Sequence, residues 1–361
     1  MITEVVLPGV VEPDGLELRT RPTPPLRPGQ ALVRMEATGI SFAEQQMRRG
    51  RYFNQPPFPF VPGYDVVGVI HALGDDGHAP SCPSSRPSDR PSDPPQSHAR
   101  FAVGRRVAAL TKTGAWADRL VLPLDELVAV PDSLTAEEAE TVIVNGITAR
   151  RMLSAARVRG GDTIVVLGAN GGVGSLLVQL ARHAGARVIG VASARHALYL
   201  RELGAVPVDR HGDFAAEIRR IAPRGVAAVF DHVGGPGIRR SFSLLARGGV
   251  LVAYGTAAAR DRRGNAQLPV YALFARLLLW RVLPNGRSTT FFNLWAGRRR
   301  NPRRHRVEVR ADLEAVFDHL AAGHIAVRIA RAFPLSQIAE AMRYAESGAV
   351  EGKVVLLADP C

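Results

Sequence analysis

The stretch Thr163-Ile-Val-Val-Leu-Gly168-Ala-Asn-Gly171-Gly172-Val-Gly174-Ser-Leu-Leu-Val-Gln179-Leu-Ala-Arg182 decides the fold. An apolar β-branched run ends at Gly168, and Ala169, Asn170, Gly171 and Gly172 allow a sharp turn. From Val173 the apolar residues recur about every 3.6 positions, as on one face of a helix. Strand, glycine turn and helix in that order are what a dinucleotide's pyrophosphate requires. A missing Cβ at Gly171 lets the main chain approach phosphate oxygens, and one at Gly174 lets the helix pack closely on its strand. Ala169 stands where GxGxxG has its first glycine, so the pattern here is AxGxxG.

The following strand, Arg187-Val-Ile-Gly-Val-Ala192, runs into Ser193-Ala-Arg195-His196 with no carboxylate for the ribose hydroxyls of NAD. A hydroxyl and a guanidinium, helped by an imidazole, suit the extra phosphate of NADP(H), each charge-assisted pair contributing about 1.5–3 kcal/mol. The competing reading makes Ser193 a helix cap and Arg195 a solvated group.

A chain of 361 residues suits two domains, and 46% hydrophobic content fills their interiors. No apolar run is long enough to span a bilayer, and Met-Ile-Thr-Glu-Val-Val at the start has no signal-like pattern, so a cytoplasmic location is expected. Two cysteines, Cys82 and Cys361, exclude a disulfide framework and a cysteine-based zinc site. The net charge of +13 and the run Arg298-Arg-Arg-Asn-Pro-Arg303-Arg304-His305-Arg306 raise nucleic acid as a partner. Lysine occurs only at Lys112 and Lys353, and no aromatics interleave the arginines. The run therefore reads as a solvated basic loop, with nucleic acid not the expected partner.

Residues 1–129 read as short strands punctuated by Pro and Gly, a β-rich domain, interrupted at 75–99 by a Pro/Ser/Asp/Arg insertion too polar to order itself. From 130 to 296 strands are expected at 164–168, 187–192, 206–209, 227–231, 249–254 and 288–294. Helices near 173–184, 195–203, 213–222 and 236–246 alternate with them, which predicts a doubly wound parallel sheet of α/β class. The segment 269–283 is apolar almost all round and is expected to pack on the fold, a second subunit or a membrane surface. Residues 297–361, with helices at 310–322 and 335–347 and strands near 325–333 and 353–358, return to complete the first domain.

Four segments in order carry a family resemblance: Pro62-Gly63-Tyr64-Asp65-Val-Val-Gly68, Asn145-Gly-Ile-Thr148-Ala149, Gly168 to Gly174, and Gly352-Lys353-Val-Val-Leu. With them the chain resembles the zinc-free, quinone oxidoreductase-like branch of the medium-chain dehydrogenase/reductase superfamily. The resemblance implies a GroES-like catalytic domain built from both chain ends, a Rossmann domain between, NADPH in the cleft, and a homodimer. Zinc-dependent members carry His and Glu where this chain has Tyr64 and Asp65, a Cys near Ser41, and a four-cysteine loop. None of those ligands is present, so no metal site is expected by the family's route, and carbonyl polarisation must come from hydrogen-bond donors.

By position in that family, Ser41, Glu44 and Tyr52 line the substrate side, with Tyr52 a candidate proton donor or simply an aromatic packed on neighbouring prolines. Thr148 is implied near the nicotinamide and phosphates. Asn145 is either a cofactor contact or the cap that starts a connecting helix. His232, Val233 and Gly234 end a Rossmann strand at its ligand-bearing edge, Gly255 leaves room for the nicotinamide ring, and Lys353 faces the cofactor. The expected activity is hydride transfer from NADPH to a quinone or α,β-unsaturated carbonyl. The alternatives are a tailoring reductase of a biosynthetic pathway, or an NADPH-dependent protein that binds RNA or membranes without turnover.

Overall fold

The computed structural model describes residues 1–74, 101–259, 268–348 and 350–360. The expected disordered insertion, 75–99, lies outside them. The N-terminal part runs β1 (Ile2–Val6), β2 (Glu17–Arg21), β3 (Gln30–Ile40), α1 (Phe42–Arg48), β4 (Asp65–Leu73), β5 (Arg106–Leu110), β6 (Arg119–Pro123) and β7 (Val128–Ala129). A long helix, α2 (Ala136–Ala156), leads into β8 (Thr163–Leu167), α3 (Gly172–His183), β9 (Arg187–Ala192), α4 (Ala197–Glu202), β10 (Val206–Asp209), α5 (Phe214–Ile221) and β11 (Val226–Asp231). After these come α6 (Ile238–Ser243), β12 (Leu245–Ala253), α7 (Leu268–Val282), β13 (Ser288–Phe291), α8 (Pro302–Ala321), β14 (Ile329–Pro334), α9 (Ile338–Glu346) and β15 (Lys353–Leu357).

Two large sheets result. In one, β14 and β15 from the end of the chain join β3, β4, β5 and β7, with β6 on β3, in the GroES-like arrangement. In the other the order is β10-β9-β8-β11-β12-β13, all parallel, the doubly wound Rossmann pattern whose direction of winding reverses between β8 and β11. Ligands of such sheets sit at the carboxyl ends of the strands flanking that reversal.

Several boundaries differ from expectation. The helix expected to 246 stops at Ser243, because Leu245 already pairs with Val226 and β12 begins there rather than at 249. The helix expected from 310 begins at Pro302, where the Asn301 side chain accepts the Arg304 N–H and Pro fits the first turn. The arginine run is therefore partly helical, not a loop. α7 buries only Val270, Leu273 and Leu277 and exposes Tyr271, Leu278, Leu279 and Val282.

α2 is the hinge of the architecture. It starts on a capping box in which Thr135 accepts the Glu138 N–H and the Glu138 side chain accepts the Thr135 N–H. Its apolar residues join both sheets in one core with Ala37, Val67, Ile164 and Phe230. Within that core Lys353 Nζ lies 3.1 Å from Glu140 of α2 and 3.9 Å from Asp65 of β4, all three side chains being buried. These contacts are ionic rather than aligned hydrogen bonds, since Nζ and both Glu140 oxygens lack a hydrogen-bond partner. Burial alone lowers the Lys353 pKa, but the charges of Asp65 and Glu140 outweigh it and raise the value. Burial holds Glu140 well above the usual carboxylate range, with Lys353 opposing.

Lys353→Met strands two buried carboxylates without their cation, and denaturant unfolding should show a loss of about 3–5 kcal/mol. A loss within about 0.5 kcal/mol, the scale of a surface change, would remove the triad from the account.

Candidate active site

The glycine corner lies at the reversal of the second sheet. Gly168 takes a left-handed conformation, φ +69°, and both its N–H and that of Ala169 donate to Val191 O at 2.8 and 3.3 Å. Gly168 thus makes the turn that the motif's first glycine usually makes, and Ala169 is free to be a buried packing residue. A Cβ on Gly174 would fall 2.2 Å from Gly168 O, so glycine there is imposed by the contact of helix on strand. A Cβ on Gly171 would meet only Gly168 O, at an ordinary 3.4 Å. Gly171 is the N-cap of α3 and no side chain caps the helix. Its first N–H groups, at Gly172, Val173 and Gly174, therefore present partial positive charge at an exposed turn, which fits a diphosphate.

Asn145 is not a helix start, contrary to one expectation; it sits well inside α2 and donates to Thr141 O at 3.1 Å. Its amide lies where a Gly172 Cβ would be, 2.6 Å away, so α2 abuts the corner. Thr148, one turn on, is buried on the same helix.

At the end of β11, Asp231 accepts the N–H groups of Val233 and Gly234 at 2.8 and 2.9 Å and the Ser241 hydroxyl at 2.6 Å, which shapes the loop from within. The His232 ring lies on Gly168 with Nδ1 3.0 Å from Leu167 O, and burial lowers its pKa. A Cβ on Gly255 would strike His232 O at 2.6 Å, so the neighbouring backbone by itself demands a glycine there.

Two residues expected at the cofactor are held inside the protein instead. His196, 3% exposed, places Nδ1 2.6 Å from Glu351, and Lys353 lies in the buried triad. Arg195 donates to His196 Nε2 at 3.1 Å and to Gly348 O at 2.7 Å, so it reaches toward the chain's return segment. Ser193 faces His211 Nε2 at 3.5 Å, and Arg210 donates to the same nitrogen at 3.1 Å. Arg210 and His211 went unread in the sequence; β10 pairs in parallel with β9, so its carboxyl end falls beside Ser193.

On the GroES-like side, Ser41 and Glu44 form a capping box on α1. Glu44 is buried and accepts from Ser41 N, Ser41 Oγ and Tyr64 N, the backbone contacts at 2.9 Å. Burial pushes its carboxyl up, against the pull of Lys353. Tyr64 Oη donates to Tyr52 Oη, and the two rings meet edge to face at 6.1 Å. Tyr64 stacks on Trp295 at 5.3 Å and 9°. Burial raises the pKa of both phenols, Tyr64 most, so both hold their protons at neutral pH. Beside Trp295 a cavity of about 570 Å³ is lined by Asn54, Lys112, Trp295 and Arg298. Asp65, next to Tyr64 in sequence, accepts the Val144 N–H at 3.2 Å, so one turn of α2 touches both the start of β4 and, through Asn145, the glycine corner.

Comparison with known proteins agrees with this geometry. Residues 27–132 match the alcohol dehydrogenase GroES-like domain and residues 203–356 the family described as zinc-binding dehydrogenase. The rat synaptic vesicle membrane protein VAT-1 homolog is 32% identical over 99% of this chain and 84% of its own. The 2-haloacrylate reductase of a Burkholderia species is 28% identical over 91% of each chain. The Pseudomonas syringae quinone oxidoreductase superposes with TM-score 0.79 at 26% identity, over 99% of this chain and 100% of that one. The chain belongs to the zinc-free, quinone oxidoreductase-like branch of the medium-chain dehydrogenase/reductase superfamily. As a member of that superfamily it is an oxidoreductase of nicotinamide-cofactor type.

Gly171→Ala should fold with a loss of no more than about 1 kcal/mol, the scale of a cap change, yet lose nicotinamide-nucleotide affinity by about tenfold or more in fluorescence titration. Gly174→Ala should lose stability as well. Equal affinity of Gly171→Ala and the parent would detach the corner from cofactor binding.

Proposed function

We propose that the chain is an NADPH-dependent reductase of quinones or α,β-unsaturated carbonyls that works without zinc. The observation that carries this reading is the uncapped start of α3, which Asn145 of α2 abuts, while the preceding Val144 N–H donates to Asp65, the neighbour of the hydrogen-bonded Tyr64–Tyr52 pair. The N–H groups of Gly172, Val173 and Gly174 would hold the diphosphate, with Ala169, Asn170 and Gly171 forming the turn and Asn145 beside it. Thr148, Val233, Gly234 and Gly255 border the nicotinamide end. Ser193, Arg210 and His211 would receive the 2′-phosphate, with Arg195 a further cation nearby. A mycobacterial protein of this fold, complexed with NADPH, is 28% identical over 99% of this chain with TM-score 0.78 and supports the choice of cofactor.

When bound, the cofactor supplies a hydride. The chain's part is to orient the acceptor, exclude water and offer a proton. Tyr64 donates to Tyr52, which leaves the Tyr52 hydroxyl proton to face a carbonyl oxygen as negative charge builds on it. Ser41 and Glu44 act as positioning residues: Glu44 fixes the Tyr64 backbone and, through it, the direction of the phenol pair. The reductase and quinone oxidoreductase relatives support a conjugated carbonyl as acceptor.

A second reading, attachment to a membrane surface, is favoured by the outward Leu278, Leu279 and Val282 of α7 and by the vesicle-membrane relatives. Among the described residues no helix is long and apolar enough to cross a membrane. Vesicle flotation of the purified chain tests it.

NADPH consumption with a panel of quinones and enones tests the main reading. Tyr52→Phe should lower kcat by about 100-fold, as for loss of a general acid, with the KM for NADPH unchanged. Unchanged kcat would remove Tyr52 from the chemistry. Arg210→Ala should weaken NADPH by about tenfold or more, the worth of one charge-assisted contact, and spare NADH; equal weakening of both would move the 2′-phosphate elsewhere.

A further inference from the structure

Far along the molecule from the glycine corner, three imidazoles converge. His183 is the last residue of α3, His319 lies in the last turn of α8, and His324 follows in the turn beyond it. One ring nitrogen from each lies within 4.8 Å of the other two. The Nδ1 atoms of His319 and His324 are 3.4 Å apart. A tetrahedral zinc ion with bonds of about 2.0–2.1 Å holds its ligand nitrogens about 3.3 Å from one another, so this pair already has the spacing of two ligands on one ion.

The backbone builds that spacing. His324 N–H donates to His319 O at 2.9 Å, and Gly323 turns the chain with φ +72°. The His183 ring closes the group, 4.8 Å from His319 at 71° and 4.3 Å from His324 at 32°. His183 and His324 are exposed and can rotate toward a shared ion, while His319 is half-buried and fixed. Two helices also end here, and the negative ends of their dipoles favour a cation.

We propose that His183, His319 and His324 form a binding site for a divalent transition metal of the zinc class, with three protein ligands and a fourth position open to solvent. His183 and His324 border a cavity of about 620 Å³ lined also by Gln179, Tyr199 and Arg328, which gives an ion there access to solvent. Three nitrogens and no thiolate suit zinc, nickel or cobalt(II) and disfavour calcium or magnesium. The site lies outside the nucleotide cleft. Its effect is to tie the far end of α3 to α8, which packs along α2, so an occupied site braces the helix whose other end forms the glycine corner.

The test is calorimetric titration of the full chain, freed of metal by a chelator, with Zn²⁺ alone, and Co²⁺ absorption as the probe of geometry. One equivalent should bind, cobalt should give the intense visible bands of four-coordination, and the unfolding midpoint should rise. The His183→Asn and His324→Asn variants, both at exposed positions, should each weaken Zn²⁺ by at least about 10-fold to 100-fold, the cost of losing even an outer-shell partner, as should His319→Ala, since each removes one of three ligands. Absence of saturable binding would overturn the proposal and leave the short Nδ1 contact as a hydrogen bond between neutral rings. Binding of equal strength in all three variants would also overturn it, by assigning the metal to other histidines.

Discussion

A single buried ammonium ties together three parts of this fold that are distant in sequence. Lys353 comes from the last strand, Asp65 from the start of β4, and Glu140 from the first half of α2. Apolar packing supplies most of the driving force between the sheets, yet it is directionless and would tolerate sliding of α2. Ions in a low-dielectric interior do not tolerate it, because removing any one partner leaves another unpaired. The triad fixes the rotation and height of α2 against the GroES-like sheet, and α2 in turn touches the glycine corner.

That constraint explains why the site joins residues with no local relation. Asp65 reaches the Val144 N–H, and the next residue, Asn145, abuts the start of α3. On the other side of Asp65, Tyr64 is held by Glu44 and stacked on Trp295. Burial raises the pKa of both phenols, so they stay donors well above neutral pH, while the uncapped start of α3 is left free to attract negative charge.

The glycine corner and the alternation of strands and helices were legible because both are local: hydrophobic period and absent side chains report them directly. The GroES-like domain was legible through short motifs, such as Pro62 to Gly68, carried by family resemblance. Partnering was not legible. Glu44 was expected to line a substrate surface, and a sequence shows its charge but not the three donors that enclose it. His196 and Lys353 were expected at the cofactor, but their partners, Glu351 and Glu140, are set by tertiary packing. Asn145 is interior to its helix because the capping box at Thr135 and Glu138, a signal readable in the sequence, starts that helix well upstream. Arg210 and the His183, His319 and His324 cluster depend on which strand or helix ends lie side by side, which periodicity alone does not reveal.

The central claim is that the glycine corner and the phenol wall form one site held at fixed separation by α2. Amide hydrogen exchange of the full chain, with and without saturating NADPH, tests it most directly. The account predicts that cofactor slows exchange together at 168–175, at 144–148 and around 52–64. Protection confined to the glycine corner, with the segment carrying Tyr52 and Tyr64 unchanged, would contradict it.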